Sequence, residues 1–247
     1  MSRKRHLITR KAHRYLGLFI GIQFLFWTLG GIYFSWNNMK DVHGKTLLDV
    51  SEKHFNFTMN QSLISCLDSL KKKKAIISSQ IQGIVVGNDS LLRISSGKQI
   101  ALIKFTKGSY QLRNQLSKKE VIAFVKGRLY APISIKKTIF LDEKLNKHHE
   151  YREKPLPVYS VQLNHETNTK IYVHPKLAKI TSVRNDNWRR FDFLWMLHVM
   201  DFETRDHITN WLLRIFSLLG LLTILTGFYL YFLSSPTLRK VKKKFRN

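Results

Sequence analysis

Two long apolar runs, one near each end of the chain, dominate the hydrophobic pattern. No charged residue occurs from Leu16 to Trp36 or from Ile215 to Thr237. At about 1.5 Å per helical residue, each run is long enough to cross a hydrocarbon layer of roughly 30 Å. The pattern therefore predicts two transmembrane helices, residues 15–36 and residues 211–233. Aromatic residues cluster at their ends, as in interfacial belts: Tyr33, Trp36, Trp211, Tyr229 and Tyr231.

The segment between these runs, residues 37–187, changes from a helical to an alternating period twice. Apolar residues at helical spacing between Asn60 and Leu70 precede the short runs "IQGIVV", "LLRIS", "IALIKF" and "YQLR", which turn-forming clusters separate. "SKKE" at Ser117 is a capping box that opens a second helix, and further strand-like runs follow it. We therefore expect an α+β domain with antiparallel sheets and two lobes, residues 55–113 and 117–184.

The distribution of charge predicts an orientation. The chain has 42 Lys and Arg against 16 Asp and Glu, a formal net charge of +26. Residues 1–14 and 234–247 are basic and contain no acid, so the positive-inside rule places both tails in the cytoplasm and the α+β domain outside. This topology accounts for the basic tails without a nucleic-acid partner, and it makes membrane lipids the expected surroundings. The first run is longer than a signal-peptide core, and "GGIYFSWNN" lacks a small-x-small cleavage site, which favours an anchor.

Motifs for soluble hydrolases are absent from the sequence. It contains no Ser/His/Asp, Walker, HExxH or CxxC arrangement, so no catalytic residue is assigned. Cys66 is the single cysteine, which excludes a disulfide within the chain, and its position in "SLISCLDSL" predicts a small buried residue on a helix face.

Four stretches carry a family resemblance. "YREKPLPVYSVQLNHETNTKIYVHPKLAKITSV" at 151–183 resembles the closing hairpin of the PepSY domain. Together with "HRYLGLFIGIQFLFWTLGGIYF", "LWMLHVMDF" and "LLRIFSLLGLLTILTGFYLYF", it makes nearly the whole chain resemble the PepSY-associated transmembrane family. Many relatives have four or more spans, and some of those are inner-membrane reductases that hold b-type haem between helices and reduce ferric siderophores.

The resemblance implies a protein of the bacterial cytoplasmic (inner) membrane with a periplasmic domain. Its first functional hypothesis is a redox subunit that carries haem b and passes electrons to a ferric chelate, as a ferric-chelate reductase subunit would. The alternative is a non-enzymatic membrane-anchored binding or accessory module that acts through its PepSY-like domain.

His13, Gly17 and Gly21 follow one another at four-residue spacing at the start of the first span, which places them on one helix face. One interpretation is a small-x-x-x-small contact for close helix packing, with His13 among lipid headgroups. The other is a haem seat, because glycines let a porphyrin approach a helix and imidazole is an axial iron ligand.

The amphipathic segment 188–210, just before the second span, contains His198 within an apolar stripe. This histidine is either structurally satisfied or a second haem ligand, and His43 and His207 are its plausible neighbours. Arg214, one turn into the second span, either extends its charge toward the external headgroups or pairs with a haem propionate or an anionic substrate.

His13 and His198 are expected on opposite sides of the membrane. About twenty helical residues, close to 30 Å, separate the two sides, whereas two ligands of one metal approach within about 4–5 Å of each other. Each histidine would therefore need its own haem iron. Two spans enclose too little volume for this, so the redox hypothesis also requires a homodimer or a partner membrane subunit.

Overall fold

The computed structural model describes residues 3–74, 80–97, 99–106, 109–142 and 149–236. The chain divides into a helical unit, residues 1–37 and 190–247, and a double-lobed domain, residues 38–189. Most of the predicted basic tail 234–247, from Thr237 onward, lies outside the described residues.

The helical unit contains α1 (Arg3–Trp36), the C-terminal part of α5 (Asp186–Val199) and α6 (Trp211–Ser234). Two of its segments, His6–Trp36 and Trp211–Ser234, are long and apolar enough to cross a membrane, and only 11% of the most apolar window of each is buried. The side chain of Asn210 begins α6 by accepting a 2.7 Å hydrogen bond from the backbone N–H of Leu213.

The double-lobed domain begins with the short helix α2 (Met39–Val42) and contains two helix-then-meander repeats. The first repeat consists of α3 (Gln61–Lys74), β1 (Gln80–Val86), β2 (Asp89–Ser96), β3 (Gln99–Thr106) and β4 (Ser109–Arg113). The second consists of α4 (Lys118–Lys126), β5 (Ile135–Leu141), β6 (Val158–Leu163), β7 (Lys170–His174) and β8 (Lys179–Arg184). Each set of four strands forms an antiparallel sheet in sequential order. The predicted antiparallel α+β class is confirmed.

Neighbouring strand residues in the first sheet are buried on opposite faces. Leu92 and Ile103 pack with the apolar side of α3, whereas Leu91 and Leu102 belong to a larger core with α4 and the second sheet. The two lobes therefore share one core. The capping box predicted at Ser117 is present, because its hydroxyl accepts from the Glu120 N–H while the Glu120 carboxylate accepts from the Ser117 N–H.

The helix that contains His198 has different bounds from the amphipathic segment predicted there, residues 188–210. The side-chain oxygen of Asn185 accepts a 2.7 Å hydrogen bond from the Trp188 N–H, so the helix begins earlier, at Asp186. It ends at Val199 because Met200 takes a left-handed conformation with φ 56°.

Candidate functional site

Small residues of α6 form the contact surface for α1, and we call this contact the helix seam. Gly220, Thr226 and Gly227 of α6 approach side chains of α1 in this seam, and Thr223 on the same helix is buried. A Cβ added to Gly220 would lie 3.1 Å from Cζ of Phe24 and 4.0 Å from Cγ2 of Ile20. Ile20 is only 1% exposed. The seam therefore consists of large α1 side chains against an α6 surface that is nearly bare backbone, a mode of packing typical of membrane helices.

His13 belongs to this seam. A Cβ added to Gly227 would lie 3.1 Å from the imidazole Cε1 and 3.7 Å from Nε2. The imidazole Nδ1 is 3.0 Å from the Thr226 hydroxyl oxygen, at hydrogen-bond distance. The ring thus acts as a contact between α1 and α6, which supports the packing interpretation of His13.

Gly17 and Gly21 do not share the environment of His13. A Cβ added to either glycine would have no neighbouring atom within 4 Å. The reason is geometric: each four-residue step turns about 40° beyond a full turn of an α-helix, so the three residues rotate progressively away from one another. The seam residues His13 and Ile20 of α1 are instead seven positions apart. Seven residues turn an α-helix to within about 20° of two full turns, so these two side chains stay on nearly the same face. Among the described residues, Gly17 and Gly21 therefore take no part in the contact of α1 with α6.

His198 lies among aromatic rings of the helical unit. Its ring stacks on Trp195 at 5.9 Å between centroids and 12° between planes. Trp27 and Phe34 approach the same ring at 5.8 and 6.3 Å. The His198 Nδ1 is buried and has no hydrogen-bond partner among the described residues, which is costly for an imidazole nitrogen.

Two polar side chains of α1 fix the end of α5. The Gln23 Nε2 donates to the Leu197 carbonyl at 2.9 Å, and the Trp27 Nε1 donates to the His198 carbonyl at the same distance. Carbonyls in the last turn of a helix lack helical partners, so these bonds complete α5. The sequence carried a signal for this contact that our prediction missed: Gln23 is a lone amide within an apolar run.

Protein side chains lie close to both histidines that the sequence suggested as haem ligands. Both ring nitrogens of His13 lie close to α6, one of them within hydrogen-bond distance of Thr226. The imidazole of His198 lies within 5.8–6.3 Å, centroid to centroid, of the rings of Trp27, Trp195 and Phe34. Among the described residues, no group of three or more His, Cys, Asp or Glu side chains is arranged to hold a metal ion.

The remaining candidates lie elsewhere. Arg214 is exposed on the first turns of α6. His207 makes hydrogen-bond contacts within its own loop: its Nδ1 is 2.6 Å from the Thr204 hydroxyl oxygen, and its backbone N–H donates to the Asp201 carboxylate. His43 belongs to the double-lobed domain, where it follows α2 and lines a pocket of about 280 Å³ together with residues of β8.

No protein-family model, curated protein or solved structure matches the chain. The PepSY resemblance thus rests on the residues quoted from the sequence alone.

Proposed function

We propose that this protein is a membrane-anchored binding or accessory module, in which α1 and α6 cross the membrane and hold the double-lobed domain at its external face. The observation that carries the proposal is that the double-lobed domain has hydrophobic cores of its own and lies in the chain between two apolar helices. Such a domain can bind a ligand or partner without chemistry in the helices.

The helix seam supports this proposal. His13, the residue best placed by sequence to hold a cofactor in the helices, is a packing residue against Gly227 and Thr226. The outward faces of both helices carry large exposed apolar side chains such as Leu18, which is 71% exposed, and Leu218, which is 60% exposed. Contact of these apolar side chains with lipid costs no free energy, whereas their exposure to water is unfavourable.

The topology is testable by cysteine labelling in intact cells. In a Cys66→Ser background, Ser62→Cys places an exposed thiol on α3 and Ala12→Cys places one on the N-terminal part of α1. A membrane-impermeant maleimide should label the first thiol in cells with a permeabilised outer envelope, and the second only after lysis. The reverse pattern, or labelling of both thiols before lysis, would contradict the proposal.

A haem-bearing redox subunit is the second candidate, and one observation favours it: the Nδ1 of His198 is buried without a partner among the described residues. An imidazole nitrogen in that state is chemically able to ligate iron, and haem would supply one-electron transfer toward a ferric chelate. Because two spans enclose too little volume for haem, this candidate also requires a second copy of the chain or a partner subunit.

A single spectrum separates the two candidates. The full chain, purified in detergent from haem-replete cells, should show no b-type Soret band if it is a binding module. A reduced b-type band that weakens in His198→Ala and His13→Ala would support the redox subunit instead. His6→Ala, which removes an imidazole from the basic tail, is the control variant.

A further inference from the structure

A pocket on the second lobe, which we call the β8 pocket, lies beside the edge strand of the second sheet. It has a volume of about 280 Å³ and is lined by His43, Val50, Lys154 and the β8 residues 180–184. Strand β8 is the last in the order β5-β6-β7-β8, so one of its edges has no neighbouring strand in that sheet.

A β-bulge explains why consecutive residues of β8 line the same pocket. Ser182 pairs with Tyr172 and Ile180 pairs with Val173, which leaves Thr181 as an extra residue between two successive pairs. A bulge interrupts the strict alternation of side chains and turns neighbouring residues toward one side. The Thr181 carbonyl accepts a 3.2 Å hydrogen bond from the Lys154 Nζ, which holds that ammonium group at the pocket.

The opposite wall is fixed to β8 by close contacts. Gly44 has φ +68°, and a Cβ there would lie only 2.3 Å from Cγ1 of Val183, so no other residue fits this turn without a shift. The Asn185 side chain donates to the Asp41 carbonyl at 2.6 Å. These contacts hold the turn that carries His43, so the pocket is formed in advance of any ligand.

The charged groups of the β8 pocket are basic. His43, Lys154 and Arg184 line it, and none of its described lining residues is acidic. The Arg184 guanidinium lies 3.8 Å from the Trp188 ring centroid, and its Nε donates to the Glu150 carbonyl at 2.9 Å, which fixes its orientation. The pKa of His43 is lowered, first by partial burial and then by the positive charges of Lys45 and Arg184. A lowered pKa leaves His43 neutral near pH 7, so the charged side chains that line the pocket at that pH are Lys154 and Arg184.

We propose that the β8 pocket binds a phosphate group, held by the cations of Lys154 and Arg184 and by the imidazole of His43. A phosphate group offers several acceptor oxygens and carries about 1.5–2 negative charges as an ion or monoester and about one in a lipid headgroup, which suits several convergent donors better than a single carboxylate does. The phosphate comes either from a soluble ion or ester or from a lipid headgroup. This assignment rests on the proposed binding module and names the chemistry that its domain recognises.

The direct test is isothermal titration calorimetry of the full chain in detergent with inorganic phosphate. Binding should occur at one site per chain and weaken at least tenfold in Lys154→Glu. Lys137→Glu makes the same charge change on the exposed face of β5, at the other edge of the sheet. This control variant should bind phosphate as the unchanged chain does.

Nanodiscs distinguish the two phosphate sources. If a lipid headgroup occupies the β8 pocket, the heat of phosphate binding should persist in phosphatidylcholine discs and disappear in phosphatidylglycerol discs. If the ligand is soluble, the heat should be the same in both discs.

Two results would overturn the assignment of the β8 pocket. One is no binding of phosphate in detergent or in phosphatidylcholine discs. The other is equal weakening in Lys154→Glu and Lys137→Glu, which would mean attraction to the net charge of +26 alone. Neither result bears on topology or on the haem spectrum, so failure here is distinguishable from failure of the proposed module.

Discussion

Gly220 and Gly227 lie where α6 meets α1, whereas Leu102 and Ile103 lie in strand β3, where the first sheet is covered on both faces. Large aliphatic side chains with 0% exposure hold the double-lobed domain together, while the helix seam uses the backbone surface at glycines and the hydrogen bond between His13 and Thr226. The two regions of one chain thus use different sources of stability.

The solvent explains this contrast. In water, burial of apolar surface stabilises a fold by about 25 cal/mol per Å², so large side chains are effective in a core. In lipid, moving an apolar side chain from the acyl chains into a contact between helices gains little free energy. Close packing and polar contacts therefore determine how helices associate there. The exposed apolar side chains on α1 and α6 and the buried ones in the sheets fit these two environments.

The largest expected effect is in the shared core of the double-lobed domain. Leu102→Ala removes a fully buried side chain and should lower the free energy of unfolding of this domain by about 2–5 kcal/mol. Denaturation followed by circular dichroism at 218 nm measures this change, with exposed Leu112→Ala on β4 as the control. Equal effects of the two variants would break the comparison, because stability would then not depend on burial in the sheets.

The helix seam should respond to added volume instead of lost volume. Gly220→Leu must displace Phe24, since even a Cβ would lie 3.1 Å from that ring, and should destabilise the contact of α1 with α6 by about 1–3 kcal/mol. Hydrogen–deuterium exchange of α1 and α6 peptides should accelerate in this variant. Gly17→Leu places the same side chain in open space and should leave exchange unchanged.

An ion cluster makes the double-lobed domain sensitive to pH. Burial alone would raise the pKa of Glu150, but hydrogen bonds and charges from Arg189 and Lys170, at 2.7 and 2.9 Å, outweigh it and lower the pKa to about 2. A lowered carboxyl pKa contributes stability that is complete above about 4.5 and is lost as the pH falls toward 2.

Glu150→Gln should therefore lower stability by about 1–3 kcal/mol at pH 7 and by much less at pH 3. Chemical denaturation at both pH values measures the difference, and exposed Glu166→Gln is the control. A constant loss at both pH values would mean that the ion cluster does not act through its charge.

The smallest expected effect concerns the imidazole in the helix seam. His13→Leu keeps much of the ring volume over Gly227 but loses the hydrogen bond with Thr226, so the helix contact should weaken by about 0.5–1.5 kcal/mol. Exchange of peptides from the C-terminal half of α6 should rise slightly. His6→Leu, at the start of the apolar segment, is the matched control, and an equal rise there would contradict a specific contact of His13.

The sequence determined the classes and the order of the elements. Uncharged runs are sufficient to locate α1 and α6, because a chain cannot place many charges in an apolar layer. The change from helical to alternating period at the turn clusters located both α+β repeats, because the side-chain period belongs to the local backbone. The capping box at Ser117 was readable for the same reason: both of its partners lie within four residues of each other.

Side-chain contacts between distant segments depended on the tertiary structure. The spacing of His13, Gly17 and Gly21 could not show that α6 meets only the first of them, because that depends on how the two helices turn against each other. The sequence pattern also could not show the β8 pocket. More than a hundred residues separate the pocket walls in the chain, and the bulge at Thr181 interrupts the alternation of side chains in β8. Local periodicity fixes elements because it acts through neighbouring residues, whereas a binding site depends on which remote side chains the packed chain brings together.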